Sequence, residues 1–365
     1  MADTLSLRAL NRALLARQML LGRASVTPLA AIEQLGGLQG QEARHPFVAL
    51  WARLEGFQPA HLRDLIRQRD VVRATWIRGT LHHVTRADYI RFRTTLQPVL
   101  TAGMLGIFKN RKLDLDIGPV VAAAREVYAG AGPLPFGALR EALAARFPDI
   151  DERMLGFGVR CAMALIIADD DTAWSYKADG AFGPAEAWLG ETISQDVDLE
   201  GLALRYLAAF GPATVADFQN WSGLAGQKAT FEGIRGRCVV FRDERKRELF
   251  DLSDAPRPDE ATPAPPRLLA EFDTALLGHA DRSRIVPERY KKALQSNNLR
   301  VPAVILVDGF VAGIWTCTVK RGEALATLQL FEDIPQSARK ALRAEGEAAA
   351  RFLAPEAKAW GSQMS

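Results

Sequence analysis

The stretch V-V-R-A-T-W-I-R-G-T-L-H-H-V, residues 71–84, decides how the first third of the chain is read. β-Branched and aromatic residues stand on both sides of Arg78-Gly79, a composition that predicts two strands joined at a turn. Helical patterns precede it. Leu5, Leu7, Leu10, Leu14, Leu15 and Leu20 recur at the spacing of one helix face. Thr27-Pro28 has the form of a helix cap with proline at the first helical position, opening a helix over residues 28–38. Further helices are expected over residues 46–54 and 61–68. Helices followed by a two-stranded hairpin make a winged helix.

The same grammar recurs twice. Residues 120–128 read as a helix, G-P-L-P-F-G-A-L-R-E-A-L-A-A-R-F starts a second, residues 152–167 a third, and A-D-D-D-T-A-W-S-Y-K-A-D-G-A-F the wing. The third copy has helices at 199–210, in G-P-A-T-V-A-D-F-Q-N-W-S-G-L and at 226–234, then the hairpin C-V-V-F-R-D-E-R-K-R-E-L-F-D-L with a charged tip. A proline-rich connection follows, unsuited to a helix interior or a central strand. Beyond it, V-P-A-V-I-L-V-D-G-F-V-A-G-I-W-T-C-T-V-K places Asp-Gly between β-rich runs, residues 324–331 add a strand, and residues 337–353 form a last helix. The expected fold is α+β: three tandem winged-helix motifs (1–116, 117–198, 199–254), the connection 255–267, and a small β-barrel domain with a final helix (268–365).

Of the 365 residues, 48% are hydrophobic and 24% charged, the balance of a folded soluble protein rather than a disordered tail. No run approaches the roughly 18 apolar residues of a membrane span, and M-A-D-T-L-S-L-R lacks the layout of a secretory signal. A cytoplasmic address without a membrane partner is therefore expected. Cys161, Cys238 and Cys317 are scattered, which predicts buried thiols rather than a disulfide framework or a Cys-x-x-Cys metal site. A net charge of +3 does not announce a nucleic-acid binder. Local distribution says more: Arg63, Arg67, Arg69, Arg73, Arg78, Arg86, Arg91 and Arg93 crowd one region, and Arg235, Arg237, Arg242, Arg245, Lys246 and Arg247 another. Each cluster is either a DNA-facing surface or a solvated face balanced by Asp64, Asp70, Asp243 and Glu244.

Chemistry is concentrated in G-L-Q-G-Q-E-A-R-H-P, residues 37–46. Gln39 and Gln41 exchange no protons near neutral pH, so any reaction they serve depends on positioning. The bland alternative is a polar helix end. Gly40 between them allows a tight backbone with both side chains on one side; Glu42, next in sequence, is a candidate helper base that ranks below the pair because alternation points it away. His82 and His83, adjacent on a strand, point to opposite faces and cannot share a metal ion. No metal and no cofactor are expected. Most tryptophans lie in apolar or alternating stretches and belong to the core.

Taken together, L-Q-G-Q at 38–41, W-I-R-G-T-L-H at 76–82, E-F-D-T-A-L-L-G-H-A-D-R-S-R-I-V at 271–286 and V-D-G-F-V-A-G-I-W at 307–315 resemble the winged-helix DNA glycosylases of the AlkZ and YcaQ type. The matches span nearly the whole chain in the family's order. The resemblance implies a C-shaped body holding damaged duplex DNA in a concave basic channel, with Gln39 and Gln41 as the catalytic pair facing the lesion. Candidate DNA contacts are Arg44, His45, Arg73, Arg78, His82, Arg282 and Arg284. His45 alternatively fixes the start of a helix, one of His82 and His83 faces the core, and Arg282 or Arg284 pairs internally to brace the barrel. Asp273 reads as a turn cap or a structural anchor. The Gln-x-Gln branch resembles the members that excise bulky adducts and unhook interstrand crosslinks, in self-protection or in general repair.

Two amides suit such a substrate. An N7-alkylguanine or N3-alkyladenine is already cationic, so it departs as a neutral base without an acid, while a fixed water replaces it at the anomeric carbon. No lysine stands beside the pair to form a Schiff base, so the enzyme is expected to be monofunctional. Its partner would be double-stranded DNA carrying alkylated purines, engaged by a monomer. The alternative is a non-catalytic winged-helix DNA-binding protein or transcription regulator.

Overall fold

The computed structural model describes residues 3–177, 179–295 and 300–365 of a mixed α+β chain. A short strand, β1 (Thr4–Leu5), leads into α1 (Leu7–Arg17), whose N-terminus Ser6 caps by accepting from the Ala9 N–H. Thr27 caps α2 (Pro28–Gln34) with Pro28 at its first position, as the sequence predicts. This helix stops short of Leu38 because Gly36 and Gly37 take φ of +67° and +96° and turn the chain into β2 (Leu38–Gln39). Next come α3 (His45–Trp51), α4 (Pro59–Arg67), and the hairpin β3 (Val71–Thr75) and β4 (Leu81–Thr85). Its turn is one tight helical turn, with Arg78 at φ +54° and Gly79 at +71°.

After α5 (Arg86–Phe92) and α6 (Gln97–Asn110), the second unit comprises α7 (Ile117–Ala131), β5 (Leu134–Pro135), α8 (Phe136–Ala144), α9 (Glu152–Ala162), β6 (Leu165–Ile167), β7 (Ala181–Pro184) and α10 (Ala185–Leu189). The expected helix over 152–167 ends at Ala162, and its last residues are strand. The reason is long-range: β3 carries a second edge of backbone donors and acceptors, and β6 satisfies it, with Arg73 opposite Ile167 and Ala74 opposite Ile166. The hairpins of the first two units thus merge into one six-stranded sheet, ordered β2-β4-β3-β6-β7-β5.

The third unit has α11 (Leu199–Phe210), α12 (Val215–Ser222), α13 (Lys228–Ile234) and the hairpin β8 (Cys238–Asp243) and β9 (Glu248–Leu252). The expected hairpin forms, with β1 added parallel to β8. Helix α1 also reaches this unit, since buried Arg17 donates to both Asp251 carboxylate oxygens at 2.8 Å.

Beyond the connection lie β10 (Arg267–Leu268), α14 (Thr274–Leu277), β11 (Val304–Val307), β12 (Phe310–Lys320), β13 (Glu323–Leu330), α15 (Gln336–Leu353) and β14 (Ala359–Met364). Asp308 and Gly309, at φ +49° and +81°, make the predicted tight turn. The five-stranded sheet runs β10-β11-β12-β13-β14 with its outer strands unpaired to each other, so it is open rather than a closed barrel. Leu342, Ala349 and Ala350 of α15 cover it. Cys161 is buried, and Cys238 and Cys317 are partly so. No described helix is long and apolar enough to cross a membrane.

Candidate active site around the Gln-x-Gln strand

Gln39 is not at a helix end. It lies in β2, an edge strand of the six-stranded sheet, directly opposite His82 of β4, while Leu38 lies opposite His83. The Gly40 N–H extends the ladder by donating to the Leu81 carbonyl at 2.8 Å. Because alternate residues face opposite sides, Leu38 enters the core and Gln39 shares a face with His82. Only 8% of Gln39 is exposed, whereas Gln41 stands in solvent. Gly40 is required for space rather than for backbone freedom: a Cβ there would meet His83 Nδ1 at 2.5 Å and Cε1 at 2.9 Å.

Two arginines hold this strand from the neighbouring hairpin. Arg73, buried in β3, donates from Nε to the Gly40 carbonyl (3.0 Å) and from Nη2 to the Gln41 carbonyl (3.1 Å). Its guanidinium carbon lies 5.1 Å from the centre of the Tyr176 ring. Arg78 donates from Nη1 to the Trp221 carbonyl at the end of α12 (2.7 Å) and from Nη2 to Gln39 Oε1 (3.2 Å). A guanidinium has only donors, so the Gln39 oxygen must face Arg78 and its NH2 group faces away. Burial, with Arg282 nearby, pushes Arg78 down to about 10, which leaves it charged at neutral pH.

His82 is 1% exposed, and burial followed by Arg78 pushes it down to about 3, so it is neutral. Its Nδ1 lies 3.1 Å from the Thr80 carbonyl. His83 faces the other way, edge-on to Tyr176, with its basicity well below normal from burial and Arg73. No group of three His, Cys, Asp or Glu side chains lies at metal-binding spacing among the described residues. The site therefore combines two amides, one neutral imidazole and a cationic rim, which can orient a water and attract phosphates.

A family model for DNA glycosylase AlkZ-like proteins matches residues 32–352. The chain belongs to the AlkZ-like DNA glycosylase family. It is accordingly a DNA glycosylase that acts on DNA. Among solved structures it is similar to the Streptomyces sahachiroi DNA glycosylase AlkZ, with a TM-score of 0.79 and 17% identity over 99% of this chain and 100% of that one. That likeness concerns the fold. No curated protein matches the chain.

Within this AlkZ-like frame the remaining candidates separate. Arg282 is exposed, has no partner among the described residues, and lies close enough to weaken the proton affinity of Arg78. Arg44 is exposed at the start of α3. His45 is buried beside the Phe272 ring, and burial, then Arg44 and Arg300, pushes it down to about 4. A neutral, enclosed ring is a poor phosphate contact; His45 is the first residue of α3, and among the described residues its side chain makes no capping bond there. Arg284 is buried and donates to the Pro212 carbonyl at 2.9 Å, which replaces the expected phosphate contact with a brace between the third and last units. Asp273 is both cap and anchor: it accepts from the Ala275 N–H and binds Arg53 through both oxygens, at 2.6 and 2.8 Å. Thr80 and Tyr176 support the site without having been singled out, and Trp221, one of the tryptophans read mostly as core, does so through its carbonyl. Trp221 lies far away in sequence and carries no local signal.

Proposed function

We propose that this glycosylase is monofunctional and hydrolyses the N-glycosidic bond of N7- or N3-alkylated purines in duplex DNA, using a water positioned by Gln39 and Gln41. The observation that carries the reading is the double clamp: Arg73 binds the carbonyls of Gly40 and Gln41, and Arg78 fixes the Gln39 amide. Such restraint has no use in a solvated loop and is what dipole-based catalysis requires. Cationic alkylpurines suit it because their departure needs no protonation. No lysine occurs in residues 37–46 or 71–84, which supports release of the base without strand cleavage. In the same reading the three helix-and-hairpin units act as tandem winged helices along a concave channel, the enzyme works as a cytoplasmic monomer, and crosslinked purines are within its range. Exposed Arg44 and Arg282 are the phosphate contacts.

Replacing Gln39 and Gln41 together by alanine tests it. Release of 7-methylguanine from duplex DNA should fall about 100-fold under single turnover, the size of effect seen when a preorganised dipole is lost. Duplex affinity, governed by backbone charge, should stay nearly unchanged. Full activity in the double variant would remove the pair from the mechanism. A panel of small and crosslinked lesions then defines the range.

A further inference from the structure

The clamp on Gln39 leaves an acceptor missing. With its Oε1 turned to Arg78, the free end of that amide is an NH2 group, which donates. A water held for attack also needs a group to receive its proton. Directly across the strand pair stands His82, on the same face, at a spacing that puts opposed Cβ atoms roughly 4.5–5.5 Å apart. The Thr80 carbonyl beside its Nδ1 can only accept, so Nδ1 carries the proton and Nε2 the lone pair. The two histidines differ in one decisive respect. Both ring nitrogens of His83 are buried on the far face without a partner among the described residues, whereas His82 lies on the Gln39 face with its Nδ1 committed to the Thr80 carbonyl.

We infer that His82 Nε2 is the acceptor for the attacking water, with the Gln39 NH2 group as donor to the same water; this rests on the two-glutamine reading above. As the C1′–N bond breaks, its electron pair passes to the cationic base, which leaves neutral. The water oxygen bonds to C1′, and its proton moves to Nε2 and on to solvent. A water already bonded to carbon is strongly acidic, so an imidazole kept neutral by burial is base enough. The donor from Gln39 holds the oxygen while its second lone pair faces the sugar.

Three variants separate this role from a structural one, because glutamine places its amide near the Nε2 position of histidine and asparagine near Nδ1. On a 7-methylguanine duplex in single turnover, His82→Ala and His82→Asn should each lose at least tenfold in excision rate, with duplex affinity unchanged. His82→Gln should recover to within about threefold of wild type. An asparagine variant as active as the glutamine variant, or an alanine variant at the wild-type rate, overturns the inference. Should the variants fold poorly, histidine-ring nitrogen–proton correlation spectra of the 15N-labelled wild-type protein decide: Nδ1–H is expected, and an Nε2–H tautomer overturns it. Wild-type excision by the Gln39/Gln41 double alanine variant would defeat the glutamine reading itself, whereas loss there combined with asparagine rescue defeats only the role of His82.

Discussion

In the hairpin β3–β4, Arg73 and Arg78 turn their guanidinium groups inward onto backbone carbonyls and a side-chain amide, and all five residues of β3 are buried. In the hairpin β8–β9, Arg247 pairs with buried Asp243 and half-buried Asp281, and Arg245 with Asp281, the two arginines themselves reaching solvent. Both segments are arginine-rich hairpins, and in sequence they carry the same DNA-facing expectation. What separates them is the supply of carboxylates and the presence of a second layer. The first hairpin is walled by α12 at its tip and by Tyr176 on one face, and among the described residues neither Arg73 nor Arg78 forms an ion pair, Glu42 acting on Arg73 only from a distance, so each cation organises the uncharged groups that surround it. The third has acids interspersed and solvent around it, so its cations neutralise locally.

The largest expected consequence of that difference is acid sensitivity. The first hairpin buries two neutral histidines, His82 and His83, and the third has none. Their proton affinity is depressed in the folded protein and normal, near 6.5, when unfolded. Below that value the unfolded chain binds protons that the folded one refuses, so stability is complete above about pH 6.5 and falls as pH drops toward the folded values. Each such histidine contributes on the order of 1.4 kcal/mol per pH unit over the window. Urea melts from pH 7 to pH 5 should show a steep decline that the His83→Phe variant lessens. A flat profile would mean that the hairpin interior accepts charge, and the comparison would fail.

Next comes Arg73→Ala, which leaves the Gly40 and Gln41 carbonyls without their donor. Unpartnered buried groups cost about 1–3 kcal/mol each, so a loss of about 3 kcal/mol in urea melts is expected. Because displacement of about 1 Å near the chemistry can cost on the order of 100-fold, excision should fall by about ten- to a hundredfold. Unchanged excision would detach Arg73 from the catalytic strand.

Elements that depend on neighbours in sequence were legible: the cap at Thr27 with the helix starting at Pro28, the Asp308-Gly309 turn and the third hairpin. The joining of the first two hairpins was not legible, because the β3–β6 pairing is decided by an unsatisfied strand edge rather than by local composition. At the site, the two glutamines could be named, while their strand and their clamps could not. Gly36 and Gly37 hid the change from helix to strand inside an apolar helical pattern. The Arg78–Trp221 contact links residues that no short-range rule connects. At Arg284 the sequence left a phosphate contact and an internal brace open, and enclosure favours the brace.

Removing the Arg78 charge sharpens the contrast through salt. If Arg78 serves Gln39 rather than phosphate, Arg78→Met should leave the slope of log affinity against log salt at the wild-type value, whereas loss of one phosphate contact lowers it by about 0.9. Excision by Arg78→Lys, which keeps the charge, should still drop severalfold, because an ammonium cannot span Trp221 and Gln39 as the planar fork does. Arg282→Ala is the opposite case: an exposed cation without a partner should lower the slope and leave stability nearly intact.

The smallest effect belongs to Arg245 in the third hairpin. Its side chain is 68% exposed, and it shares Asp281 with Arg247. Removing one of the two arginines from Asp281, which keeps Arg247 and the Ser283 N–H as donors, exchanges an exposed ion pair for hydration of the arginine's place, so Arg245→Ala should change stability by under about 1 kcal/mol. Arg247 also donates to Asp243 at 2.6 Å, and Asp243 in turn accepts from the N–H groups of Arg245 and Arg247, so the turn keeps its shape without the Arg245 side chain. Added salt should shrink the difference further, since exposed pairs are screened. A loss of several kcal/mol, insensitive to salt, would show that this hairpin too is organised by enclosed charge, and the distinction between the two would disappear.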